Sequence, residues 1–167
     1  MSAQENNKKT VTATIKIDWL LYDIQNETYL RGRTIQNDEN HKQVASMFAS
    51  EDEENREKLL RSIKKGFSEV KTELSEYLNE NGLTSDNSHI DGNSDLVLSL
   101  LMPSNFNEAA TAGISESIHD YLKNTAISEW YMVTNKEDAD QYVALANKSM
   151  NNIRNAVSKR SRPTRPE

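Results

Sequence analysis

The residues best suited to catalysis or metal binding are few in this sequence, and they lie far apart. The three histidines, His41, His89 and His119, occur in separate segments without the helical spacing of a zinc site. His119 and Asp120 are consecutive, so on a helix their side chains would point about 100° apart and could not form a dyad by themselves. We therefore expect structural or surface roles for the histidines rather than catalysis.

The densest group of carboxylates is EDEEN at residues 51–55. A Mg²⁺ site here would need carboxylates converging from other parts of the fold, whereas acidic residues at a helix start complement the helix dipole. The sequence has no cysteine, which excludes disulfides and thiolate metal sites. It also has neither a glycine-rich phosphate loop nor a nucleophile elbow. We expect no catalytic residue, no metal site and no cofactor.

Charge is distributed unevenly along the chain. The net charge is −6, yet residues 148–167 contain six basic residues and one acidic residue. Residues 1–147 therefore carry a net charge of −11, so an acidic body precedes a basic tail. The side chains predicted to bind a partner are Lys159, Arg160, Arg162 and Arg165. The tail and the RGR at residues 31–33 could also contact phosphates, and the alternative for the tail is a solvated segment without a partner.

Alternating residues predict two strands. In TVTATIKID, residues 10–18, apolar and polar side chains alternate, as is typical of a half-buried strand. LVLSLLM, residues 96–102, has a similar apolar face and is followed by Pro103. Because no other segment has this character, we expect residues 10–18 to pair with residues 95–102 in a two-stranded element that packs on helices.

The most regular apolar pattern predicts a long helix over about residues 51–81. Its apolar residues, from Leu60 to Tyr77, recur at alternating steps of three and four, which we call the helical seam. Ser50 and Glu53 have the spacing of a capping box at its start, and Gly82 is the expected stop. Gly66, inside the helix, would allow a neighbouring helix to approach closely.

Three further helices are predicted. A short one should cover residues 19–31, with Gly32 as its C-terminal cap, and long ones should lie near residues 105–133 and 135–159. A possible short helix around residues 41–48 interrupts an otherwise polar segment. The fold class is therefore mainly α, a helical bundle of three long helices plus a short one, with a small two-stranded β element.

The last two helices meet in EWYMVTNKEDADQY, residues 129–142. Thr134 and Glu137 have the spacing of a second capping box, so Thr134 should cap the last helix. We expect Trp130, Tyr131 and Tyr142 to pack across the corner of a helical hairpin, with Trp130 and Tyr142 buried.

The chain should form one domain. Residues 1–9 are expected to be disordered, residues 10–158 to form a single helical domain, and residues 159–167 to form a basic extended tail. The N-terminus lacks the apolar segment of a secretory signal, and the longest apolar run, residues 96–102, is far shorter than a membrane span. We expect a soluble intracellular protein, or a virion component made inside a cell.

The C-terminal third resembles the head–tail adaptor (connector) proteins of tailed bacteriophages. The resemblance covers roughly residues 104–160 and is a packing pattern rather than a catalytic signature. Its elements are a helix ending in Glu129-Trp130-Tyr131, a turn over Thr134-Asn135-Lys136-Glu137, and a helix with Tyr142, Ala146, Met150 and Ile153-Arg154. In that family, a similar pair of antiparallel helices forms much of the subunit bundle.

The resemblance implies a structural virion protein, assembled in the host cytoplasm, whose copies form a ring between portal and tail, commonly of twelve in that family. The implied partners are other copies, the portal protein, and tail or further connector proteins, while DNA passes by without specific binding and no membrane is involved. Adaptor C-termini often reach along the portal, so the basic tail should be mobile in the isolated subunit and ordered on docking. The alternative is a small helical interaction or regulatory protein that binds a partner through the helical seam or the basic tail. An enzyme is the least favoured class.

Overall fold

The computed structural model describes residues 8–79 and 95–163, which fold into five helices and a two-stranded antiparallel sheet. The mainly helical class with a small β element is confirmed. The elements are β1 (Lys9–Ile15), α1 (Ile17–Ile35), α2 (His41–Met47), α3 (Glu53–Glu73), β2 (Leu96–Met102), α4 (Thr111–Thr134) and α5 (Lys136–Val157). Single 3₁₀ turns cover Ser75–Tyr77 and Glu108–Ala110.

The predicted pairing of the two strands is confirmed. Lys9 lies opposite Met102 and Ile15 lies opposite Leu96, so the strands are antiparallel and in full register. Alternate side chains of both strands are buried against the helices. Because one face is packed and the other solvated, a one-residue slip would expose the whole apolar set, and this fixes the register.

α4 is the central helix of the fold. It packs against α5, α3, α1, α2 and β1, and it carries fully buried apolar residues along its length, including Ile114, Ile118, Leu122 and Ile127. α5 returns antiparallel to α4 after a single intervening residue, Asn135, so these two helices form a hairpin. A helix covered on so many sides needs apolar or small residues over most of its circumference.

The prediction of three long helices and a short one is wrong in detail. α1 has 19 residues rather than the expected 13 of segment 19–31, and the only short helix among residues 8–79 and 95–163 is α2. Gly32 does not end α1. It is buried inside the helix, where a β-carbon would lie 3.1 Å from Cγ1 of Val44. The glycine therefore lets α2 pack onto the C-terminal half of α1.

α3 is shorter than predicted. It begins at Glu53 and ends at Glu73, after which Leu78 forms a β-bridge with Leu100. This bridge draws the chain to the free edge of β2 and is incompatible with a continued helix. Gly82, the predicted stop, lies outside the described residues.

The start of α3 also differs from the prediction. Ser50 donates its hydroxyl to Asp52 Oδ2 at 2.7 Å rather than capping a backbone amide, and Asp52 occupies the N-cap position. The seam residues Leu60, Ile63, Phe67, Val70 and Leu74 are buried in the core of the chain itself. None of the helices in residues 8–79 and 95–163 is long and apolar enough to cross a membrane.

Gly66 provides a test of the packing between α3 and α4. A β-carbon at this position would lie 3.0 Å from Cδ2 of Leu122. We expect Gly66→Leu to lower the free energy of unfolding by about 1–3 kcal/mol, because the added side chain must displace packed neighbours. The control is Gly113→Ala in α4, where no atom lies within 4 Å, and it should raise stability by up to about 1 kcal/mol. Urea denaturation measures both, and a Gly66→Leu variant as stable as the wild type would contradict this close approach.

Candidate functional site

The aromatic residues at the α4–α5 corner make two separate sets of contacts. Trp130 and Tyr142 are both buried, and Tyr131 is fully buried. The Tyr131 and Tyr142 rings meet edge to face with centroids 5.4 Å apart, which is a favourable geometry for aromatic pairs. Trp130 faces the other way: its Nε1 donates to the carbonyl oxygen of Met47 at 2.8 Å, and the ammonium of Lys58 lies 5.3 Å from its ring centroid. Trp130 thus holds α2 and α3 against α4.

An ion pair holds α1 on the corner. Arg31 donates from Nε to Asp138 Oδ2 at 2.6 Å and from Nη2 to Oδ1 at 3.0 Å, a bidentate arrangement. Asn135 also donates to Asp138 Oδ2, at 2.7 Å. The Arg31 guanidinium lowers the pKa of Asp138 below its usual value, against the opposing effect of burial. Arg31, considered above as a phosphate contact, is therefore engaged within the fold.

A second polar contact lies one turn earlier on α1. Tyr142 donates its hydroxyl to Glu27 Oε1 at 2.9 Å, and Lys123 Nζ lies 3.2 Å from Glu27 Oε2. Burial, and then the nearby Glu27 carboxylate, raise the pKa of Tyr142 far above its usual value. The Tyr131 hydroxyl is buried and has no hydrogen-bond partner among the described residues. This corner is a site of helix docking in which Arg31, Asp138, Glu27 and Tyr142 all form bonds within the fold.

The predicted capping role of Thr134 is wrong. Thr134 is the last residue of α4, and its hydroxyl donates to the carbonyl oxygen of Trp130 at 3.0 Å. The helix ends one residue later, at Asn135, whose φ of −155° and ψ of 79° are not helical and whose backbone N–H donates to the Tyr131 carbonyl oxygen at 2.8 Å. Glu137 is exposed in the first turn of α5, where its charge complements the helix dipole.

The first residues of the basic tail are hydrogen-bonded to the segment that precedes α4. The carbonyl of Lys159 accepts from the amide of Asn107 at 3.2 Å, and the amide of Ser161 donates to the carbonyl of Asn105 at 2.8 Å. Arg160 forms an antiparallel bridge with the buried Phe106. Arg162 is exposed, and Arg165 lies outside the described residues. The backbone of residues 159–161 is therefore fixed on the body, whereas the side chains of Lys159 and Arg162 are exposed to solvent.

A groove between the start of α1 and the first half of α4 was not anticipated from the sequence. We call it the α1–α4 groove. It has a volume of about 740 Å³, and its polar and aromatic lining includes Lys16, Trp19, Tyr22, Asp23, Glu116 and Asp120. Trp19 and Tyr22 are 64% and 66% exposed. The feature of the sequence that could have revealed the groove is the spacing of Trp19 and Tyr22. They are three residues apart and lie on the face of α1 opposite the buried Leu20, Leu21 and Ile24.

His119 belongs to the same groove. Its Nε2 lies 2.7 Å from Oδ2 of Asp23 on α1, so its partner is a distant carboxylate and not its neighbour Asp120. His41 is exposed on α2, and His89 lies outside the described residues. In residues 8–79 and 95–163, no three histidine, aspartate or glutamate side chains are grouped so that they could hold a metal ion.

The break between α4 and α5 gives a test of which residue, Thr134 or Asn135, contributes more to the stability of the corner. Asn135→Ala should lower the free energy of unfolding by about 1 kcal/mol, because the Asn135 side chain caps no backbone amide of α5 but donates to the buried carboxylate of Asp138. Thr134→Ala should change stability by less than about 0.5 kcal/mol, since a threonine hydroxyl bonded to the carbonyl four residues earlier contributes little to a helix. Thermal or urea unfolding measures the stability of the two variants, and a larger loss for Thr134→Ala than for Asn135→Ala would assign the stabilising role to Thr134.

The Arg31–Asp138 pair gives a second test. Arg31→Ala should lower the free energy of unfolding by about 3 kcal/mol, because it leaves a buried carboxylate without its charged partner. The control is Arg33→Ala, which removes an exposed guanidinium from the same helix and should cost less than about 1 kcal/mol. Equal effects of the two substitutions would contradict a structural role for the pair.

The same pair makes stability depend on pH. Folding lowers the pKa of Asp138, so the ionised carboxylate stabilises the fold above the unfolded pKa, and this contribution is lost as the pH falls through the lower folded value. The difference in unfolding free energy between the wild type and Asp138→Asn should therefore shrink from neutral to strongly acid pH. A difference that stays constant down to acid denaturation would contradict the lowered pKa.

No protein-family model, no curated protein and no solved structure matches this chain. The function is therefore inferred from the residues and contacts of the chain itself.

Proposed function

We propose that the protein is a structural subunit of a bacteriophage particle, a head–tail adaptor or connector whose copies form a ring between portal and tail. The observation that carries this proposal is the α4–α5 hairpin with its fixed corner. It spans most of the segment that resembles the adaptor family, and it is built from two antiparallel helices of 24 and 22 residues. The role requires rigid helices and neighbouring copies but no catalytic step.

The contacts at the corner support a rigid unit. Trp130, Tyr131 and Tyr142 are buried there, and side chains from α1 and α2 contact the hairpin through the Arg31–Asp138 pair and the Met47 carbonyl. Fixed relative positions of several helices let a subunit present the same surfaces to each neighbour, which a closed ring demands.

The charge of the body supports the same role. Residues 1–147 carry a net charge of −11. A channel wall of this sign repels the phosphates of passing DNA and does not bind them. DNA would then move through the ring without specific binding.

Exposed apolar residues supply contact surface for neighbouring proteins. Met132 and Val133, at the tip of the hairpin, are 53% and 73% exposed, and Val143 and Leu145 are partly exposed on α5. An apolar tip at the end of two long helices fits contact with an adjacent layer, which in a connector is the portal or a tail protein.

The second candidate is a small helical interaction or regulatory protein. The helical seam is buried inside the chain, so a partner would bind an exposed surface such as the α1–α4 groove or the basic tail. Such a protein would act as a monomer or small complex, and the state of assembly separates the two functions.

The ring is tested by measuring mass and shape. We expect light scattering on the purified protein to give a multiple of the 19.0 kDa subunit, and electron microscopy to show closed rings of twelve copies. Isolated portal-bearing particles should bind the protein, and particles stripped of portal are the matched control. A 19.0 kDa monomer at every concentration, with no binding to portal-bearing particles, would favour the second candidate.

A further inference from the structure

The α1–α4 groove combines exposed aromatic rings with acidic side chains. Trp19 and Tyr22 project from α1, and Glu116 and Asp120 lie one turn apart on α4. Asp23 also lines the groove but is paired with His119, so Glu116 and Asp120 are the two carboxylates that face a ligand, beside the ammonium of Lys16. Lys16 Nζ lies 4.8 Å from the centroid of the Trp19 ring, so this ring already accommodates a cation. The chemistry of the groove suits a cationic ligand with flat or cyclic side chains.

The end of the chain has this chemistry. Residues 162–167 have the sequence RPTRPE. The two arginines, Arg162 and Arg165, are three residues apart, and so are the two prolines, Pro163 and Pro166. A polyproline II segment has three residues per turn, so it would place both arginines along one edge and both prolines along another. Aromatic-lined grooves bind prolines in this conformation, and guanidinium groups pair with carboxylates.

The spacings are compatible. In a polyproline II segment, Arg162 and Arg165 would lie about 9 Å apart along the axis. Glu116 and Asp120 are separated by about 6 Å along α4, and the long arginine side chains cover the difference. Prolines would then face Trp19 and Tyr22 across the groove.

The backbone direction of residues 159–161 bears on whether the groove of the same chain or of another copy receives the tail. Lys159 pairs with Asn107 and Ser161 with Asn105, so residues 159–161 run antiparallel to residues 105–107. The backbone of residues 159–161 therefore runs away from Thr111, where α4 begins, whereas the groove residues Glu116 and Asp120 lie farther along α4. This local direction favours the groove of another copy over the groove of the same chain.

We propose that residues 162–167 of one copy dock in the α1–α4 groove of the next copy. Tail and groove are different surfaces, so the contact is head-to-tail, the type that closes into a ring when the rotation between copies allows it. This inference deepens the proposed ring function and rests on it for the assembly of copies. It assigns the basic tail to a neighbouring subunit, where the family resemblance alone favoured the portal.

Charge reversal on each side tests the contact. One variant carries Arg162→Glu and Arg165→Glu, a second carries Glu116→Lys and Asp120→Lys, and a third carries all four changes. A control with Glu76→Lys and Asp140→Lys reverses two exposed acidic residues outside the groove. Circular dichroism first establishes that every variant is folded.

Assembled mass is the readout. We expect the tail variant and the groove variant each to fall to the mass of the 19.0 kDa subunit, and the fourfold variant and the control to assemble like the wild type. If both reversed variants still form rings, the tail–groove contact is overturned while the ring function stands. If the tail variant forms rings but no longer binds portal-bearing particles, the inference is also overturned, and the tail belongs to the portal.

Mixing separates docking between copies from docking within one chain. A chain ending at residue 161 has a groove and no free tail, and the groove variant has a tail and no acidic groove. Each alone should be monomeric, and the mixture should form dimers through one tail and one groove. A mixture that stays monomeric would overturn docking between copies.

A wild-type protein that never assembles would contradict the ring function, yet the contact between tail and groove can still be measured. A synthetic peptide of residues 158–167 is titrated into the chain ending at residue 161, with Trp19→Phe as the control for the fluorescence signal. The contact is supported if the native peptide quenches the fluorescence saturably. The Trp19→Phe control should lose this quenching, and a peptide with both arginines changed to glutamate should not cause it. No response to the native peptide overturns it.

Discussion

The burial of α4 is the constraint on which the rest of the structure depends. Every other helix and β1 pack against it, and its apolar side chains are shared among these neighbours. With a charged fraction of 28%, the chain has few apolar residues to spare, so it concentrates them on one central helix and leaves the outer faces of α3 and α5 to water. This arrangement makes a slim bundle stable, because the apolar area removed from water is largest for the helix at the centre.

Polar contacts then decide how the neighbours sit on α4. Trp130 binds the Met47 carbonyl, Glu129 accepts from Ser62 at 2.6 Å and Lys65 at 2.9 Å, and Arg31 binds Asp138. Apolar packing alone tolerates sliding between helices, whereas a directional bond to one atom does not. Among the described residues the Tyr131 hydroxyl has no hydrogen-bond partner, while its ring is completely buried and meets the ring of Tyr142 edge to face.

The sequence was most informative where one local pattern controls the structure. Alternation in residues 10–18 and 96–102 predicted the strand pair, and the seam predicted the buried face of α3. The failures lie where distant residues act: Leu78 bridges Leu100 and ends the helical region early, and Gly32 is covered by Val44 instead of capping α1. The break between α4 and α5 was misplaced by one residue because Thr134 and Asn135 are both capping residue types. In the structure Thr134 donates to the Trp130 carbonyl and Asn135 to Asp138, and neither side chain caps α5. The Asp23–His119 contact joins residues 96 positions apart, which no spacing rule could reveal.

The α1–α4 groove follows from the abrupt passage from strand to helix. Lys16 alone separates β1 from α1, so the helix starts with Ile17 buried and its apolar stripe set by Leu20, Leu21 and Ile24. Helical spacing then forces Trp19 and Tyr22 onto the outer face, beside the carboxylates of α4. Polar residues at these two positions would leave the core unchanged, since neither ring is part of it. Large aromatic side chains that the fold does not need are best explained by a surface that another molecule covers. Arg162 and Arg165, each followed by a proline, have the charge that such a surface would bind.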